Sequence, residues 1–340
     1  MSMNLALNPS SLRSTIIRVL GAGLVPYVEG SPGVGKSDIM RSIAEELKLK
    51  VIDLRLSQCD PTDLMGFPNV QGDKARYVPM ETFPVKGDDL PAGCNGWLLF
   101  LDEFPSASRA VQAAAYKLVL DKMVGQHELH PSVHIVCAGN KASDKAIVNS
   151  LSTATQSRLI HLELAVSLKD WSEWAAGNGI DARIIGFLNY KTSLLHNFSP
   201  DHQDKTFPCP RTWSFASRLS TGQDISIKDL PLFAGVVGQG AAQEFIAFAE
   251  LYQSLPRIEE IVKSPLTVNI ADEVSVRYAI ATYVADHLNE ANAETVTQFL
   301  DRLDVEMQVV AYRMAATRKA ALIGNQHVYG RLEKLAQYLN

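Results

Sequence analysis

The stretch "GSPGVGKSDIM", residues 30 to 40, follows the apolar run "LVPYV" and leads directly into the amphipathic segment "SDIMRSIAEELK". No other feature restricts the fold as much. A glycine-rich turn between a strand and a helix belongs at the carboxyl edge of an α/β sheet. Gly30 to Ser37 matches G-x-x-x-x-G-K-[ST] at every fixed position. Gly30, Gly33 and Gly35 permit conformations and approaches that a Cβ would block, so successive N–H groups can face phosphate oxygens. Lys36 supplies a positive charge for the β- and γ-phosphates, the Ser37 hydroxyl can ligate Mg²⁺, and the following helix turns its N-terminal dipole toward the anion. The candidate nucleotide-binding set is therefore Gly30, Ser31, Pro32, Gly33, Val34, Gly35, Lys36, Ser37 and Asp38. A nucleoside triphosphate with Mg²⁺ is the implied guest.

Through the first 165 residues, strand-like runs alternate with helical segments: "LVPYV" (24 to 28), "VIDLRL" (51 to 56), "WLLFLD" (97 to 102), "HIVCAG" (134 to 139) and "LIHLEL" (159 to 164). That alternation predicts a parallel sheet with helices on both faces. "WLLFLD" is apolar at five consecutive positions and reads as a central strand. It ends on Asp102 and Glu103, where ligands bind in open α/β sheets. Asp102 is placed to hold Mg²⁺ and Glu103 to orient and deprotonate an attacking water. The segment "ASRAVQAAAYKLVLDK" puts Val111, Ala114 and Leu118 on one helix face. Between the second and third strands, "NVQGDKARYVP" reads as a β-hairpin turning at Gly72 and Asp73.

Beyond residue 166 helical periodicity takes over. Val296, Phe299, Leu300 and Leu303 form one stripe, Phe245, Phe248 and Tyr252 another, and both read as packing faces. Pro208 and Pro210 flank an expected break. At 340 residues and 46% hydrophobic the chain is long enough for two domains and a substantial core. No run approaches a membrane span, and Arg13 and Arg18 interrupt the N-terminus where a signal peptide would be apolar. A soluble cytoplasmic protein, with no membrane contact, is the expectation. The four cysteines are scattered, which argues against a disulfide framework or a Cys-x-x-Cys metal site. A net charge of −5 without a basic tract gives no positive sign of nucleic-acid binding.

Taken together, "GSPGVGKS", "DPTDLMGFP", "GWLLFLDEFPSASRAVQAAAYKLVLDKMVG", "HELHPSVHIVCAGNKAS", "SLSTATQSRL" and "CPRTW" resemble, in order over roughly residues 20 to 220, the AAA+ ATPases. Within them the similarity is to the MoxR-like branch, related to dynein and midasin modules. The resemblance implies a P-loop NTPase α/β domain over 1–165, a helical lid over 166–225 and a C-terminal helical region over 226–340. It implies ATP as the nucleotide, and because no base-reading motif is present that assignment rests on the resemblance alone. Asn140 matches the family's first sensor, which helps position the lytic water. Arg158 matches the arginine finger inserted into a neighbouring subunit's site, although Ser157 stands where many relatives have Asp. Arg211 in "CPRTW" matches the second sensor on the lid. A homo-oligomeric ring, a hexamer, is implied, as is protein remodelling with a partner bearing a von Willebrand factor A domain. A nucleic-acid motor or loader is the alternative, and a nucleotide-gated binding module with little turnover is a third reading.

Three local features have plainer readings. Phe67 in "DLMGFP" could face a ring's channel, but reads more economically as a buried aromatic anchor. The histidines of "HELHPSVH" fall on a hairpin interrupted by Pro131 and do not suggest a zinc site. Asp60 and Asp63 read as a turn and helix cap.

Overall fold

A strand with five consecutive apolar residues is stable only if both of its faces are covered, and one such strand lies inside the sheet. The computed structural model describes residues 5–144, 149, 151–201 and 204–339, and the chain divides into two units, Met1–Val166 and Ser167–Asn340. In the first unit the strands are β1 (Val25–Glu29), β2 (Leu49–Arg55), β3 (Phe67–Gln71), β4 (Lys74–Val78), β5 (Gly96–Asp102), β6 (Met123–Val124), β7 (His127–Glu128), β8 (Val133–Gly139) and β9 (Leu159–Glu163). The helices are α1 (Pro9–Gly21), α2 (Lys36–Leu47), α3 (Pro61–Met65), α4 (Arg109–Asp121) and α5 (Thr153–Gln156). Five strands form one sheet in the order β2-β5-β8-β1-β9, parallel throughout.

Alternation along β5 divides the core in two. Trp97, Leu99 and Leu101 pack with Ile135 and Cys137 of β8 and with Val111, Ala115 and Leu118 of α4. Leu98 and Phe100 point the other way, into Val28, Val136 and Ala138 and onto Leu12 and Ile16 of α1 and Met40 and Ile43 of α2. Each fully buried side chain of this size contributes about 1.5–3 kcal/mol, so the two layers hold the sheet against its helices. The layered α/β expectation holds. At the start of α4 the Ser108 hydroxyl accepts the Val111 N–H at 3.3 Å, which satisfies one of the helix's free donors.

β3 and β4 form the expected antiparallel hairpin, with Gly72 at φ 61° in its turn. Its entry is set by α3, where the Asp60 N–H donates to Asp63 Oδ2 at 2.8 Å and the two residues form a capping box. The expected anchoring role of Phe67 does not hold. Phe67 is 53% exposed, because the hairpin projects with both faces open. Register puts Pro68 opposite Tyr77 and Val70 opposite Ala75, leaving that face apolar, while Asn69, Arg76, Gln71 and Lys74 share the other.

Ser167–Asn340 is helical from Leu168–Gly177 through Gln326–Leu339. One apolar core runs through it, from Trp171 to Leu335. Phe187 lies at its centre, its ring centroid 5.5 Å from that of Trp213 and 5.6 Å from that of Phe245. The stripe Val296, Phe299 and Leu300 is fully buried, as its spacing predicts. Pro210 opens the helix Pro210–Ser220 at its first position, where a missing N–H costs nothing. Among the described residues no helix is long and apolar enough to cross a membrane.

Candidate nucleotide-binding site

Strand order and register gather the predicted residues at one edge. Glu29 of β1 lies opposite Gly139 of β8, and Leu101 of β5 lies opposite Cys137 of β8. The loop after β1, Asp102 at the end of β5 and Asn140 just past β8 therefore leave the sheet side by side.

Within the loop, Gly33 and Gly35 have φ of 75° and 93°, the left-handed region that an L side chain enters at a cost of roughly 1–2 kcal/mol. Gly30 serves by its size instead: a Cβ there would lie 3.3 Å from both Leu164 Cβ and Val34 Cγ2. Gly35 is also the N-cap of α2 and contributes no capping side chain. No N-cap side chain thus competes with an anion at this helix N-terminus.

Lys36 is buried to 9% exposure, which a cation tolerates only with partners. Its Nζ donates to Gly30 O at 2.6 Å, Ser31 O at 3.2 Å and Asn140 Oδ1 at 3.0 Å. Ser37 Oγ donates to Asp102 Oδ2 at 3.5 Å, and Asp102 Oδ1 accepts the Glu103 N–H at 2.8 Å. Burial pushes the Asp102 carboxyl above the usual carboxylate range, opposed by that N–H and by the Lys36 charge. A serine hydroxyl and a carboxylate this close are hard oxygen donors of the kind Mg²⁺ prefers.

Glu103 has φ 56°, an uncommon conformation for a residue with a side chain and one often found at functional sites. Its Oε2 accepts a hydrogen bond from Ser57 Oγ. Ser57 was not among the residues marked by motif. Its signal lies in the pairing of β2 with β5, where Arg55 sits opposite Asp102, so that Ser57 emerges beside Glu103.

Lys36, Ser37, Asp102, Glu103 and Asn140 are thus connected through hydrogen bonds or adjacent positions. Asp38 is exposed on α2 and pairs with Arg41 at 2.9 Å. Arg158, just before β9, is exposed; its Nη1 donates to Ala154 O at 2.9 Å and its guanidinium lies 5.7 Å from the centroid of the Tyr116 ring. Arg211 belongs to the second unit, exposed in the first turn of the helix Pro210–Ser220. The histidines are engaged elsewhere: His127 Nε2 meets Tyr77 O at 3.1 Å, and His130 Nδ1 accepts the Ser132 N–H at 3.0 Å.

Residues 27–159 match the family model of the AAA domain, dynein-related subfamily. Among solved structures, a candidate ATPase from Cytophaga hutchinsonii is similar at 13% identity over 99% of this chain and 91% of its own, with a TM-score of 0.34. A variant of RuvB from Thermotoga maritima is similar at 15% identity over 82% of each chain, with a TM-score of 0.38.

Proposed function

We propose that the chain, whose residues 27–159 match the AAA domain of the dynein-related subfamily, is an AAA+ ATPase that uses Mg²⁺-dependent ATP hydrolysis in a hexameric ring to remodel a protein partner. The observation that carries the reading is the gathering of Lys36, Ser37, Asp102, Glu103 and Asn140 at one sheet edge. The loop N–H groups and Lys36 bind the phosphates. Ser37 and Asp102 hold Mg²⁺, which when bound neutralises charge on the phosphoryl oxygens. Glu103 accepts a proton from the attacking water, with Ser57 fixing its carboxylate, and Asn140 orients that water. Arg158 reaches the γ-phosphate of a neighbouring subunit and offsets charge developing in the transition state. Arg211 is assigned the second-sensor role by its match to the family motif. The partner that couples this work to a client carries a von Willebrand factor A domain, and the MoxR-like branch is the family setting.

Glu103→Gln tests the chemistry. The amide keeps the shape of the side chain but cannot take a proton, so ATP should bind as in the parent while turnover falls by about 10²–10⁴. A fall of less than about tenfold in steady-state phosphate release, with Mg²⁺ and ATP saturating, removes Glu103 from the role of base. Stimulation of the parent by DNA or RNA would favour a nucleic-acid motor instead.

A further inference from the structure

An ammonium has three N–H donors and no acceptor, and Lys36 directs hydrogen bonds to three protein oxygens: Gly30 O, Ser31 O and Asn140 Oδ1. Two of these belong to the loop that carries the lysine. Asn140 does not; it comes from the end of β8, and its amide must present Oδ1 because the ammonium has nothing to accept with. At the preceding Gly139 a Cβ would lie 2.5 Å from Pro105 Cδ and 2.7 Å from the Tyr27 hydroxyl, so Pro105 and Tyr27 pack directly against the backbone that carries Asn140.

We infer that Asn140 competes with the nucleotide's phosphates for the Lys36 ammonium, and so sets nucleotide affinity as well as orienting water. This rests on the reading of the loop as a nucleotide site and deepens it. Phosphate oxygens can engage Lys36 only by displacing protein acceptors. Once they do, Asn140 Oδ1 gives up its donor and becomes available to accept one from water. Release of the water-orienting group is thereby tied to engagement of the lysine: the two groups exchange partners in one step, and a free Oδ1 signals that the phosphates are seated.

The inference predicts a change opposite to the usual result of deleting a site residue. Removing the competing acceptor should tighten binding. ADP is the probe, because it has no γ-phosphate whose contact with Asn140 could be lost. Asn140→Ala should bind ADP about three- to tenfold more tightly than the parent, as expected for removing one competing hydrogen bond of ordinary net strength. Asn140→Leu, which keeps the bulk without the acceptor, should shift in the same direction, and both should lose most ATP turnover. Titration of each protein with a fluorescent ADP analogue, in Mg²⁺ buffer, reads the effect. ADP affinity that is unchanged or weaker in both variants, with the parent binding normally, overturns the competition and leaves the nucleotide site standing. A parent that binds neither ADP nor ATP overturns the site itself, and the competition with it.

Discussion

Asp102 is held in an environment that opposes its charge. Burial raises its folded-state pKa above that of the unfolded chain, so the folded protein disfavours the charged carboxylate. The cost is absent where Asp102 is protonated in both states, appears as pH rises past the unfolded value, and is complete above the folded value. Asp102→Asn should therefore raise the melting temperature near about pH 7 without Mg²⁺ or nucleotide, and the gain should vanish near about pH 3. A variant that melts lower than the parent at neutral pH would contradict this account. Lys36, Ser37 and Asp102 were legible in the sequence because a phosphate loop and a strand-ending carboxylate impose fixed residue types at fixed places. Ser57 was not, because its role depends on which strand lies beside which. The left-handed Glu103 was equally hidden, since nothing local demands φ 56° of a glutamate.

Among the elements, the β3–β4 hairpin depends most on one backbone position. Gly66, between α3 and β3, has φ 88°, and a Cβ there would lie 2.2 Å from Val78 O. Gly66→Ala combines a strained φ with a clash against backbone, so it should destabilise by about 2 kcal/mol or more. Urea unfolding of the first unit's tryptophan signal checks this, and a shift within error would show that the hairpin base can relax. The long elements were readable to within two residues at most ends: "WLLFLD" became β5 and "HIVCAG" became β8. Their signal is continuous apolarity, which burial on both faces enforces. The exposed setting of Phe67 was not readable, because an aromatic residue after Met-Gly looks the same whether a neighbour covers it or not. In the helical half, the stripes gave the buried faces. They did not give the way those faces meet around Phe187, which is a matter of tertiary packing.

At the scale of the whole molecule, the proposed finger makes activity a property of assembly. An Arg158→Ala chain keeps its pocket and a Lys36→Ala chain keeps its finger, so mixing the two inactive proteins should recover part of the ATP turnover, a finger in trans being worth about 10³–10⁵ in rate. Co-assembled variants that stay inactive would return Arg158 to its own subunit or to no role. The strand order has a separate consequence, for the chain as it is made. β1 is translated first among the five strands, yet its neighbours are β8 and β9, with Tyr27 paired to Cys137 and Val25 to Leu159. β2 and β5 can pair as soon as Asp102 has emerged, whereas the segment bearing the phosphate loop must wait for most of the unit to be synthesised. Non-local parallel pairing of this kind pays loop-closure entropy before it gains contacts. A nascent chain thus carries a finished loop sequence well before it has the strand neighbours that would hold it in place.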